Sequence, residues 1–155
     1  MIIETIAADY AALLRGVAPR DFTLADTPIA PPPVLQMLKD LAGQVGESFS
    51  PASWLIVEHG EVVGLCSITR PWRKGVLDIG YGISPSRQGR GCASRAVRDV
   101  VGWAVDHPDV MAITAETSPA NLASQRVLER NGFVMTGRRT DEEDGPLICW
   151  RRPVR

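Results

Sequence analysis

Gln88-Gly89-Arg90-Gly91-Cys92-Ala93 stands directly before a stretch of helical periodicity, and these residue types together suit the binding of an anion. Glycine is entropically costly at such a place unless the backbone must turn there or be approached closely. The first amides of a helix lack intrahelical acceptors, and the macrodipole adds roughly half a positive charge at that end. Glycines let backbone N–H groups there turn toward one cluster of oxygens without obstruction by a Cβ. Arg87 and Arg90 add positive charge beside it. A phosphate ester is the natural guest. A purely structural helix start is the competing reading, and the loop alone does not name the phosphate compound. GxxxxGK[ST] is missing, and Gly80 and Gly82 are not followed by the third glycine of a dinucleotide fingerprint.

A second group of polar residues follows. Glu116 closes the run DVMAITAE, and Asn121 and Ser124 fall on the first turns of the helix predicted after it. If VLDIGYGIS and DVMAITAE lie side by side and part after Gly82, freed backbone amides would face a ligand between them, with Glu116 at its reactive end.

The elements that must position these groups are legible from periodicity. Ile2 to Ile6 predicts an opening strand and Asp9 to Arg15 a weak helix. The proline-rich TPIAPPP reads as a rigid connector. It leads into a helix with Pro33 in its first turn and Val34, Leu35, Leu38 and Leu41 on one face. SWLIVEHGEVVGLCSITR reads as a hairpin turning at His59-Gly60, with His59 as a solvated turn residue. In VLDIGYGIS, Leu77, Ile79, Tyr81 and Ile83 share one face, and Asp78, Gly80 and Gly82 the other. Ala93, Ala96, Val97, Val100, Val101 and Ala104 predict a helix lying on a sheet. SPANLASQRVLERNG predicts a further helix, with Pro119 near its start and Asn131-Gly132 as its stop. FVMTGRR and LICWRR predict strands joined by the polar turn TDEEDGP. The sum is a strand-rich α/β chain in which hairpins bracket a crossover helix, so mixed strand directions follow.

Composition narrows the class. A chain of 155 residues with 45% hydrophobic and 23% charged residues reads as one ordinary globular domain over residues 1–155. A formal charge of −1 leaves no basic footprint for nucleic acid. Three scattered cysteines without CxxC spacing argue against a disulfide framework or a zinc site, and fit a reducing cytoplasm. Neither a signal peptide nor an apolar run long enough to span a bilayer is expected.

Taken together, these motifs resemble the GNAT superfamily of acyl-CoA-dependent N-acyltransferases. Gln88-Gly89-Arg90-Gly91-Cys92-Ala93 matches its [Q/R]-x-x-G-x-[G/A] loop, and Asn121, Ser124, Glu129, Gly132 and Phe133 match the later N-x-x-S/A…E-x-x-G-F pattern. The wording of DIGYGISPSRQGRG and ETSPANLASQRVLERNGF is most similar to the branch of ribosomal-protein N-terminal alanine acetyltransferases. The resemblance covers about residues 53 to 152. It implies a mixed, mostly antiparallel sheet split between two central strands, with about four flanking helices. It also implies acetyl-CoA as cosubstrate without a metal, and transfer of an acetyl group to a primary amine, either a protein N-terminus or a small molecule.

Carried over by position, Gln88, Gly89, Arg90, Gly91, Cys92, Ala93 and Ser94 would hold the pyrophosphate, and the backbone around Ile83 and Ser84 would pair with the pantetheine arm. Asn121 would contact that arm, and Arg130 a nucleotide phosphate. Glu116 takes the place of a general base. Ser124 takes that of a serine proposed to assist the departing thiolate, because the tyrosine many relatives carry seven positions after the asparagine is Leu128 here. The Thr27 to Pro33 loop, Trp54 and Arg70-Pro71-Trp72-Arg73 are candidate walls of the acceptor pocket. The acidic turn from Asp141 to Asp144 would attract a cationic amine or simply be solvated. Homodimers are common in the family. The rival reading is a non-catalytic acyl-CoA-binding regulatory domain.

Overall fold

The computed structural model describes all 155 residues. The chain runs β1 (Ile2–Glu4), α1 (Ala7–Leu14), β2 (Thr23–Leu24), α2 (Pro32–Val45), β3 (Ser53–Glu58), β4 (Glu61–Ile68) and β5 (Val76–Ile83). A 3₁₀ turn (Pro85–Arg87), α3 (Cys92–Val105), β6 (Ala112–Thr117), α4 (Leu122–Arg130), β7 (Val134–Asp141) and β8 (Gly145–Pro153) follow.

Local chemistry sets most of these boundaries. α2 begins with Pro32 and Pro33 in its first turn, where a missing N–H costs nothing. His59 and Gly60 both have positive φ, 51° and 77°, which gives the primed turn that suits the twist of the β3–β4 hairpin. α4 starts at Leu122 rather than at Pro119, because Asn121 is its cap: the Asn121 Oδ1 accepts the Ser124 amide at 3.1 Å. The two-residue β2, parallel to the start of β4, and the 3₁₀ turn after β5 are too short to show periodicity in the sequence.

The strands form one sheet in the order β1-β3-β4-β5-β6-β8-β7, with β2 added beside β4. All pairs are antiparallel except β5–β6 and β2–β4. α3 is the crossover that parallel β5 and β6 require. This is the mixed, mostly antiparallel α/β sheet that the resemblance implied.

Alternation along β3 shows the two layers. Leu55 and Val57 pack with Tyr10 and Leu13 of α1 and Leu35 of α2. Trp54 and Ile56 pack with Ala96, Val97 and Val100 of α3, Leu128 of α4 and the β6 and β8 residues Ile113, Ile148 and Trp150. Trp54 is only 1% exposed, edge-on to Trp103. It is therefore a core residue and not a wall of an acceptor pocket. Trp72 stacks on Phe49, with ring centroids 4.6 Å apart, and packs against the same core.

Candidate active site

β5 and β6 pair from Val76/Ala112 only as far as Ile79/Ala115. Beyond that point β6 continues along β8 through Glu116 and Thr117, while β5 continues along β4 to Ile83. The strands thus part three residues earlier than Gly82, and Glu116 is the first residue of β6 past the junction.

In an antiparallel pair, alternate residues exchange both hydrogen bonds. The Thr69 amide donates to the Asp78 carbonyl at 2.8 Å and the Ser84 amide to the Val63 carbonyl at 2.7 Å, so Asp78, Gly80, Gly82 and Ser84 are the residues bonded to β4. The main-chain groups of Tyr81 and Ile83 therefore face the opening gap. Ser84 belongs to the other side. Its amide is committed to Val63, its side chain is fully buried, and it lines a cavity of about 50 Å³ beneath α1 and α2. Of the two residues expected to offer main-chain groups, Ile83 thus faces the gap and Ser84 faces β4, with Tyr81 beside Ile83 on the gap side.

The gap opens into a cleft of about 440 Å³ between β5, the glycine loop and α4. It brings together Ile83, Gln88, Gly89, Gly91, Cys92, Ala93, Ser94, Asn121, Ser124 and Arg130. Gly91 caps α3 in the left-handed region at φ 78°, and Gly89 turns the chain at φ 75°. The amides of Gly89, Arg90, Gly91, Cys92, Ala93 and Ser94 donate to no protein acceptor, whereas the Arg95 amide begins the helical ladder to the Gly91 carbonyl at 3.0 Å. Six donors at a helix N-terminus fit a diphosphate. The Gln88 side chain closes the loop by donating to the Ile83 carbonyl at 3.1 Å.

The positive charge of the cleft lies elsewhere than the sequence suggested. Arg87 lines it but is neutralised by Glu61, at 2.6 and 3.0 Å, and by Asp26 at 3.1 Å. The pairing holds the Glu61 carboxyl below its ordinary range. Arg90 is exposed and is not part of the cleft wall. Arg126 and Arg130 of α4 do line it, and neither makes an ion pair. Sequence reasoning missed Arg126, although Ala123, Arg126, Val127 and Arg130 recur at the spacing of one helical face. It also missed Arg95, whose guanidinium lies under Gly91 and bonds Glu58 and the Arg90 carbonyl, each at 2.9 Å.

Glu116 does not line this cleft. Its carboxylate accepts from Arg70 at 2.7 Å and from the Arg139 Nη2 at 2.9 Å, with a further short bond from the Arg139 Nε. The Cys149 thiol lies 3.7 Å away. These partners, Arg139 first, hold the Glu116 carboxyl below its ordinary range. Arg70 also reaches Asp78 at 3.6 Å, and Arg139 reaches Asp141 at 3.4 Å. One member of the acidic turn is thereby drawn into the same network. At the other end of the loops, Thr27 is tied to Ser86 of the 3₁₀ turn by a hydroxyl contact of 2.7 Å.

Leu128 is fully buried in the core cluster that holds Phe133, Ile148 and Trp150. Leu128→Tyr is expected to overpack that core by about 1–3 kcal/mol and to lower the melting temperature by about 5 °C, with no gain in any transfer rate. Thermal denaturation beside a thiol-release assay checks this.

A strand pair that parts beside a helix-headed amide cradle defines a class of protein, and comparison with known proteins gives the same class. The description "Acetyltransferase (GNAT) domain" matches residues 2–134. The chain belongs to the GNAT acetyltransferase family. The uncharacterized N-acetyltransferase YjdG of Bacillus subtilis is 33% identical over 86 residues, covering 54% of this chain and 51% of that protein. The uncharacterized N-acetyltransferase p20 of Bacillus licheniformis is 28% identical over 113 residues, covering 71% of this chain and 61% of that protein. The matches thus span about half to three fifths of these curated relatives.

Among solved structures, the fold is similar to AAC(6')-Ib in complex with paromomycin and acetyl-CoA. That similarity has a TM-score of 0.70 at 20% identity, over 99% of this chain and 92% of that one. It is also similar to the ribosomal-protein-S5-alanine acetyltransferase of Vibrio fischeri, with a TM-score of 0.69 at 19% identity over 98% and 91%. No helix is long and apolar enough to cross a membrane, and no group of His, Cys, Asp and Glu is placed to hold a metal.

Proposed function

We propose that this chain is an N-acetyltransferase that moves an acetyl group from acetyl-CoA directly to a primary amine. The observation that carries the proposal is the run of six unpartnered amides from Gly89 to Ser94, set where β5 and β6 part. In this reading the amides hold the diphosphate, and Arg126 and Arg130 supply the charge that Arg87 does not. Acetyl-CoA supplies the activated thioester. Tyr81 and Ile83 present their main-chain groups to the acyl arm as a strand would, and one N–H there polarises the thioester carbonyl. Asn121 keeps both amide hydrogens free for the arm, because only its Oδ1 is engaged in capping α4. Ser124 faces the sulfur, and Glu116 serves the incoming amine as proton acceptor, directly or through water.

The acceptor is a primary amine, either a protein N-terminus or a small molecule. The similar structures carry names as different as an aminoglycoside acetyltransferase and a ribosomal-protein alanine acetyltransferase. Three free cysteines fit a reducing compartment such as the cytoplasm.

A thiol-release assay with acetyl-CoA and a panel of amines tests the proposal. Release of free CoA that depends on the amine is the expected result. A protein that is only stabilised against heat by acetyl-CoA, by about 2.7 kcal/mol at a hundredfold excess over Kd, is a binding domain instead.

A further inference from the structure

Resting on that acyltransferase reading, we propose that Tyr81 is a positioning residue for thiol departure: its phenol donates to the Ser124 hydroxyl and leaves the serine's own hydrogen to point at the sulfur in the cleft. The Tyr81 Oη lies 2.9 Å from the Ser124 Oγ and 3.3 Å from the Ser124 carbonyl oxygen. Both side chains line the cleft, and the tyrosine spans it from β5 to α4 just beyond the point where β6 leaves. Either hydroxyl can donate across the 2.9 Å contact. In the proposed arrangement the phenol is donor to the serine; in the alternative the phenol donates to the Ser124 carbonyl and the serine to the phenol.

A serine on a helix commonly donates to a carbonyl one turn back. The Ser124 hydroxyl makes no such bond, and Tyr81 is its only protein partner. Once Tyr81 donates, the serine hydrogen has no protein acceptor and is left for the cleft. Leu128 lies in the core and off the cleft wall.

Burial pushes Tyr81 up to about 12, so it remains a donor throughout the working range of pH. A thiol ordinarily ionises near ~8.5, so neither the phenol nor the serine gives its proton away. As the acyl carbon–sulfur bond breaks, the electron pair stays on sulfur. The serine O–H donates a hydrogen bond to that thiolate, and the sulfur takes its proton from water after leaving.

The experiment is a pH titration of thiolate absorbance in the binary complex of the protein with CoA, measured against the CoA-free protein. Both tyrosines of the chain, Tyr10 and Tyr81, are pushed up by burial and stay out of the thiol's range. In Tyr81→Phe and in Ser124→Ala the bound thiol should titrate about one pH unit higher than in wild type, a tenfold change in its ionisation constant. The double variant should go no further. Each titration is made at saturating CoA, so that a change in affinity does not enter the thiol's shift.

A purely structural tyrosine would lower stability and leave the thiol where it was. The proposal is overturned if Ser124→Ala moves the thiol and Tyr81→Phe does not, or if the two shifts add. Should Tyr81→Phe fail to fold, fluorotyrosine at both tyrosines makes the phenol a stronger donor. The bound thiol should then titrate lower, and an unmoved thiol overturns the proposal. A wild-type protein that does not bind CoA removes the acyltransferase reading, and this inference with it. Amine-dependent thiol release together with an insensitive thiol titration removes this inference alone.

Discussion

Gly91→Asp is expected to raise the dissociation constant for CoA by about a hundredfold, while the free protein melts within a few degrees of wild type. Hydrogen bonds to a charged group are each worth about 1.5–3 kcal/mol, so one or two misdirected amides account for the loss. Three changes act together at this position. Gly91 has φ 78°, and a residue with a side chain resists that region by about 1–2 kcal/mol. A Cβ there would sit 2.7 Å from the Arg95 Nη1; the guanidinium can swing away, but only by loosening its bonds to Glu58 and to the Arg90 carbonyl. The added carboxylate would then stand among the unpartnered amides proposed to hold the diphosphate.

Gly91→Ala separates strain from charge, and about a tenfold loss is expected from it. Isothermal titration with CoA checks both variants. Near-native affinity in Gly91→Asp would rule out the head of α3 as the diphosphate site.

The parts of this site that the sequence made legible are those built by neighbours in the chain. The six amides depend on Gly89, Gly91 and the helix that follows them, all within a few residues. Asn121 and Ser124 are likewise a local pair, joined by the cap of α4. What the sequence hid depends on register and on distant partners. The junction of β5 and β6 falls at Ile79/Ala115 because β6 turns to follow β8, and nothing inside VLDIGYGIS records that.

Trp54 is one residue of a strand buried on both faces, so its side gives no contrast between polar and apolar neighbours. Arg87 stands beside the loop in sequence, yet its charge is cancelled by Glu61 and Asp26, which arrive from β4 and from the loop after β2. Tyr81 lay in plain view as an apolar-face residue of β5. Its partner Ser124 is 43 positions away.

Glu116 combines both kinds of residue, and its variants carry the second large effect. Its position at the end of β6 was legible; its two arginines, from the segment after β4 and from β7, were not. Glu116→Gln is expected to lower kcat/KM by about 10²–10⁴, the usual contribution of a positioned proton acceptor, with CoA affinity retained. Arg139 and Arg70 hold the Glu116 carboxyl below its ordinary range. The group is therefore ionised at every pH at which an amine reacts, and the rise of rate with pH should follow the acceptor's own ammonium.

A depressed folded-state value also means that the Glu116 pairing stabilises the fold above the unfolded carboxyl value of ~4.3 and is lost as pH falls through the folded value. Wild type should lose that stability only under acid conditions, and Glu116→Gln should show no such loss. Arg139→Gln removes the largest cause of the depression. The Glu116 value should then move up toward ~4.3, and the acid loss of stability should move up with it, while the rise of kcat/KM with pH still follows the acceptor's ammonium. If Glu116 only anchors the two arginines, Glu116→Gln will lower the melting temperature while the folded variant turns over at the wild-type rate. Profiles of kcat/KM against pH for the three proteins, each beside its melting curve, distinguish a proton acceptor from a tether.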